Sequence, residues 1–159
     1  MNNELQSRAK EIIDSLEYVT ISTSDRDGEP WGTPVTAFHD ENYVFYWISW
    51  MNAQHSKNIR ENNRAFITIF DSTRQRGDNH RRGLYIQANA VQIEDTQDAI
   101  QALQYFHSKS RVYELSDHIA DSVKRIYKAT PSKMWLNDLS EKQVTAETND
   151  MRIEVPLPL

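Results

Sequence analysis

Within residues 51–70, MNAQHSKNIRENNRAFITIF, a histidine, a serine and a lysine stand side by side as His55, Ser56 and Lys57. They open a short polar segment with an apolar run behind it. If Asn52 caps a helix here, the N–H groups of Ala53, Gln54, His55 and then Ser56 precede the first intrahelical acceptor and converge on one spot. The helix dipole makes that spot attractive to anions. The Ser56 hydroxyl, the Lys57 ammonium and a protonated His55 would strengthen it, which makes a phosphate site. The same residues also fit a solvated surface helix with an ordinary cap, and the local sequence leaves both readings open. Trp31, Tyr46, Trp47 and Trp50 lie close by in the chain. They would wall a flat ring system or fill a core.

Other chemistries find less support. The chain has no cysteine, so disulfides, thiolate metal sites and thiol catalysis are excluded. His39, His55, His80, His107 and His118 lack the paired spacing of metal ligands. Four glycines form no phosphate loop, and no serine sits in a nucleophile elbow. Arg74, Arg76, His80, Arg81 and Arg82 make a dense basic cluster, either a solvated loop or a lid over an anionic substrate. The formal net charge of -5 opposes generic binding to nucleic acid or to an anionic membrane surface. No apolar stretch approaches the roughly 20 residues that span a bilayer. The charged start, MNNELQSRAKEIIDSL, is unlike a signal peptide, so a cytoplasmic location is expected.

The elements that would position the phosphate segment follow from periodicity. Leu5, Ala9, Ile12, Ile13 and Leu16 recur at helical spacing and predict an amphipathic helix ending near Glu17. YVTISTS alternates as a strand, and DRDGEP reverses the chain into a second strand over residues 31–38. Pro30 and Pro34 put that second strand at an edge or a bulge. A polar turn at residues 39–42 leads to a third strand, YVFYWISW, and residues 65–70 and 84–93 add two more, as a β-meander. In the third strand Tyr46 and Ile48 face one side while Phe45, Trp47 and Ser49 face the other. A strand apolar on both faces lies between two packed layers or beside another subunit. Two helices are predicted next. One begins near Thr96 with Ala99, Ile100, Leu103 and Phe106 inward; the other is capped by Ser116 with Ile119, Val123, Ile126 and Tyr127 inward. Short strands SKMWLN and MRIEVPL finish the chain. The expected fold is mainly β (α+β): one domain over residues 1–159, a split β-barrel of about six to seven antiparallel strands with flanking helices.

From Leu5 to Asp95 this order of parts resembles the pyridoxamine 5'-phosphate oxidase-like family of FMN-binding split β-barrels. The resemblance rests on YVTISTSDRDGEPWGTPVTAFHDENYVFYWIS, then QHSKNIRENNRAFITIF, then GLYIQANAVQIED, in that order. It implies a homodimer with FMN at the subunit interface. Carried over by position, Thr33, Pro34, Val35 and Thr36 would approach the flavin. Tyr46, Trp47, Ile48 and Ser49 would lie along its ring and ribityl chain, and Gln54, His55, Ser56 and Lys57 would hold its phosphate. Trp135 would reach in from the neighbouring subunit. Relatives that make pyridoxal phosphate resemble one another in an arginine where this chain has Thr33, an Arg-Lys pair at Gln54 and His55, and a glutamine at Gly83. Their Arg-x-Trp segment is not visible in DMRIEVPLPL.

The resemblance thus implies an FMN-dependent oxidoreductase acting on an unassigned small-molecule electron donor or substrate, with no catalytic side chain assigned. Two alternatives stand beside it: a flavin-binding redox or stress protein without turnover, and a related split barrel holding haem or a deazaflavin. For haem, none of the five histidines is clearly placed as an axial ligand.

Overall fold

The computed structural model describes residues 2–73, 82–106, 112–137 and 152–158. The first helix, α1 (Asn2–Ser15), buries Leu5, Ala9, Ile12 and Ile13, the stripe that its sequence spacing predicts. Strand β1 (Tyr18–Ser24) pairs antiparallel with β2 (Pro30–Thr36) through the tight DRDGEP reversal, where Gly28 has a φ of 89°. After Ala37 comes the short β3 (Phe38–His39), then β4 (Phe45–Trp50), helix α2 (Gln54–Glu61), β5 (Arg64–Phe70) and β6 (Gly83–Gln92). Helix α3 (Thr96–Leu103), strand β7 (Lys124–Asn137) and strand β8 (Arg152–Glu154) complete the described chain.

The strand order is β2-β1-β5-β6-β7-β4-β3, with β8 pairing β7. All pairings are antiparallel. β2 stands at one end of this order and β3 at the other, yet only Ala37 separates them in the chain. The sheet therefore has to curl until its two ends meet, giving the split half-barrel expected from sequence. Ala37 N–H donates to Glu17 O at 3.1 Å and fixes the corner. Pro30 and Pro34 do lie on an edge strand, where a missing N–H costs the ladder nothing.

Several expectations are corrected. The run at residues 31–38 is not one strand, and β4 does not extend a meander from β2. It pairs with β7 across the barrel, because the chain turns the corner at Ala37 instead of folding back. The helix expected from Ser116 is absent: residues Leu115–Asp117 form a single 3-10 turn, and Ile126 and Tyr127 lie in the fourteen-residue β7. Those two residues find partners on both sides, in β4 and at the end of β6, and this non-local pairing overrides their helical spacing. SKMWLN is the second half of that same strand. Pro131 is accommodated there by a bulge opposite Gln87 and Ala88, with Ser132 Oγ donating to Gln87 O at 3.2 Å. In α3, finally, Ala99 and Ala102 face inward while Ile100 is exposed. Asp95 caps α3, its carboxylate accepting from the N–H groups of Gln97 and Asp98.

Two apolar clusters meet at β4. Phe45 and Trp47 join the barrel core with Ile21, Ile67, Ile86, Tyr127 and Met134. Tyr46 and Ile48 pack against a second cluster of Ile93, Ala99, Ala102, Phe106 and Ile126. Of the two readings that the sequence left open for this strand, the chain itself supplies the two packed layers. Arg74, Arg76, His80, Arg81 and His107 lie outside the described residues. Arg82, the one described member of the basic cluster, pairs with Glu11 at 2.9 Å and lies 3.9 Å from Asp71.

Candidate cofactor site

Helix α2 starts one residue later than expected. Ala53, not Asn52, is the N-cap residue, and its side chain makes no capping bond. Ala53 N–H is used by Trp50 O at 3.1 Å, and the first intrahelical bond is Lys57 N–H to Ala53 O at 3.0 Å. Gln54, His55 and Ser56 are thus the first-turn donors that precede an intrahelical acceptor. The first turn carries no acidic residue. The helix packs on β1, β2 and β6 through Ile59, with His55, Ser56 and Asn58 on its buried side.

The four phosphate candidates divide into two pairs. Gln54 and Lys57 are exposed, whereas His55 and Ser56 are buried beneath the helix. Burial lowers the pKa of His55, so its imidazole is held neutral and does not supply the positive charge expected of it. The sign for stability follows: the unfolded chain takes up a proton at His55 more readily than the folded one. This contribution is therefore intact above the unfolded value of about 6.5 and is lost as pH falls below it, by no more than about 1.4 kcal/mol per pH unit. In urea denaturation at pH 7.5 and 5.5, the wild type should lose more stability between the two than His55→Gln does.

At the centre lies Tyr127, fully buried, which the sequence reading had placed on a helix. It pairs with Trp47 in the β4–β7 ladder, and the two rings stack at 5.6 Å and 19°. The His55 ring meets the same tyrosine edge-on at 6.4 Å. Tyr127 Oη donates to Gln92 Oε1 at 3.2 Å. Burial pushes the Tyr127 pKa up, while nearby Ser56, Arg60 and Arg125 pull against it. Ser56 Oγ is a neighbour of this hydroxyl but completes no hydrogen bond of good geometry.

Thr33 Oγ1, Trp47 Nε1, His55 Nε2 and Ser56 Oγ are all buried and without a hydrogen-bond partner in the protein. An unpartnered buried polar atom costs about 1–3 kcal/mol. These four, unlike Asn137 Oδ1, which is likewise buried and unpartnered, belong to residues that the sequence singled out for a cofactor. The remaining candidates are placed less uniformly. Val35 packs on the barrel core, while Pro34 and Thr36 point outward on the β2 edge. Tyr46 and Ile48 are engaged by the second cluster; Tyr46 stacks on Tyr105 at 5.5 Å and donates to Asp40 Oδ2 at 3.2 Å. Burial, with Asp40 next, raises the Tyr46 pKa. Ser49 is half-buried. Trp135 pairs with Tyr85, eight residues along β7 from Tyr127, or about 25 Å at strand rise.

The chain belongs to the pyridoxamine 5'-phosphate oxidase family, whose model matches residues 5–138. By sequence, no curated protein matches it significantly. Solved structures share the fold. A Clostridium acetobutylicum protein of the pyridoxinephosphate oxidase family, related to general stress protein 26 of B. subtilis, superposes with a TM-score of 0.67 at 13% identity. That match covers 98% of this chain and 96% of the other. HutZ, the haem storage protein of Vibrio cholerae, gives 0.65 at 18% identity, covering 83% and 94%. General stress protein 26 of Bacillus anthracis gives 0.61 at 16%, covering 83% and 92%. At these identities the likeness establishes the architecture.

Among the described residues no helix is long and apolar enough to cross a membrane, and no group of His, Asp or Glu could hold a metal ion.

Proposed function

We propose that this protein binds FMN and acts as an FMN-dependent oxidoreductase on a small-molecule donor, as a cytoplasmic homodimer. The observation that carries the reading is the set of buried, unpartnered polar atoms on Thr33, Trp47, His55 and Ser56, two of them in the first turn of α2 and a third, on Trp47, linked to that turn through the Tyr127 ring. The donor set fits the group. Three backbone N–H groups and the Lys57 ammonium suit a phosphate dianion, and the nearby Arg60 and Arg125 make the locality positive within an acidic chain. Trp47, stacked on Tyr127, backs the ring that His55 meets edge-on. When bound, FMN would supply two-electron redox chemistry, with a hydride donor as its partner. The chain's own residues would orient it and keep water from one side. Exposed Trp31 on the edge strand β2 and Trp50 at the end of β4 are the apolar surface that a second copy would cover, and Trp135 would then approach the other copy's site.

The test is the absorption spectrum of the purified protein, with identification of the chromophore released on denaturation, followed by titration of ligand-free protein with FMN. Flavin bands and released FMN are expected, and NADPH oxidation with added acceptors then reads turnover. A protein that neither carries nor takes up flavin would overturn the reading. The likeness to a haem storage protein favours haem as a second reading. An intense Soret band on haem addition, in place of flavin uptake, would establish it.

A further inference from the structure

We propose that Asn58 is a positioning residue: it sets the polarity of the Gln54 side-chain amide at the start of α2, so that Gln54 contributes one N–H donor to a bound phosphate. The inference rests on the FMN reading for its ligand, but the hydrogen-bond chain behind it is a property of the protein alone.

Asn58 is only 2% exposed, yet both ends of its amide are satisfied. Its Oδ1 accepts from Gln54 Nε2 at 2.8 Å, one helical turn back. Its Nδ2 donates to Thr23 Oγ1 on β1 at 3.1 Å. The Thr23 hydroxyl in turn donates to the carbonyl oxygen of Trp31 at 3.5 Å. A carbonyl oxygen can only accept, so the chain has a direction. Thr23 gives its proton to Trp31 and takes one from Asn58 Nδ2. The oxygen of Asn58 must then face Gln54, and Gln54 must present its nitrogen.

One N–H of the Gln54 amide is thereby consumed and its second remains, on a residue at the first helical position beside the backbone donors of His55 and Ser56. With the opposite polarity Gln54 would turn its oxygen inward and leave both N–H groups unheld. An i,i+4 pair on a solvated helix needs no buried partner on another element. The anchor at Thr23 indicates that orientation, not helix stability alone, is what the buried asparagine supplies. A fixed neutral donor at Gln54 would help set how tightly phosphate is held here.

The experiment has two readouts. In ligand-free protein, solvent exchange of the Gln54 side-chain amide, assigned by its disappearance in Gln54→Ala, should show one slow and one fast proton. Both should be fast in Asn58→Ala and in Thr23→Val, the latter removing the anchor without touching α2. In the second, FMN and riboflavin are titrated in parallel, since riboflavin lacks the phosphate. Asn58→Ala and Gln54→Ala should each weaken FMN by about tenfold while leaving riboflavin unchanged. The double variant should be no weaker than Gln54→Ala, because the two act through one bond.

Two fast amide protons in the wild type would overturn the polarity. Additive losses, or equal losses for FMN and riboflavin, would reduce Asn58 to a structural residue. A protected amide in a protein that takes up no FMN would leave the positioning intact and overturn the cofactor reading instead.

Discussion

Lys57→Glu is expected to weaken FMN binding by about a hundredfold or more, with little change in riboflavin affinity or thermal midpoint. Lys57 is exposed and lies one residue past the free N–H groups of α2, and helical side chains lean toward the N-terminus, which puts its ammonium within reach of a phosphate held there. A hydrogen bond to a charged group is worth about 1.5–3 kcal/mol, and reversing the charge adds repulsion of the same order. Together these exceed the roughly 2.7 kcal/mol that corresponds to a hundredfold change. Stability should hardly move, because substitutions at exposed positions of this kind stay within about 0.5 kcal/mol. Competitive titration of the two flavins, with calorimetric melting of both proteins, checks the two halves separately. Salt supplies an internal control: the wild-type FMN affinity should fall as ionic strength rises, and the variant's should rise or stay flat. Equal affinity of both proteins for FMN would remove α2 as the phosphate site.

Much of the architecture could be read locally. The stripe of α1, the DRDGEP hairpin and the edge position of a strand with two prolines each follow from residues a few positions apart. The two faces of β4 were legible as well, though not which of the two possible covers it has. What failed was non-local. Ile119, Val123, Ile126 and Tyr127 fit a helical period, and nothing nearby reveals that two strands wait on either side of residues 124–137 to pair with them. The direct step from β2 to β3 likewise becomes intelligible only when the two ends of the sheet are seen to meet.

The site was half legible for a related reason. The donors at the start of α2 follow from helix geometry, and its first turn was placed within one residue. The inward turn of His55 and Ser56 was not anticipated, although a signal existed. Ile59 is the one aliphatic residue of QHSKNIRE, and the residues three and four positions before it are Ser56 and His55. A buried isoleucine on so short a helix draws those two with it, which turns a presumed source of charge into a neutral imidazole packed near Tyr127. Tyr127 itself had no local signature, since its importance comes from strand pairing across the barrel.

Trp47→Ala tests the other half of the site and should carry the largest stability cost. Trp47 is fully buried in the barrel core, stacked on Tyr127 and held in the β4–β7 ladder. Emptying such a position costs about 3–5 kcal/mol, a large share of the roughly 5–15 kcal/mol of a whole domain. At 2–4 °C per kcal/mol for a domain of this size, the thermal midpoint should fall by about 6–20 °C. Trp50→Ala, on the same strand, is the matched control. Trp50 is 57% exposed, with the Lys124 ammonium 5.0 Å from its ring centre, so about 1 kcal/mol is the most it should lose. Equal costs at the two positions would mean that the faces of β4 are wrongly assigned. Trp47→Phe then separates packing from polarity. It keeps most of the ring stack and removes an indole N–H that has no partner in the protein, so part of the lost contact is offset and the midpoint should fall far less than in the alanine variant. If Trp47→Phe also binds FMN more weakly than the wild type at nearly unchanged stability, the indole N–H is itself a donor to the cofactor. If its FMN affinity is unchanged, Trp47 acts only by packing against Tyr127 in the core.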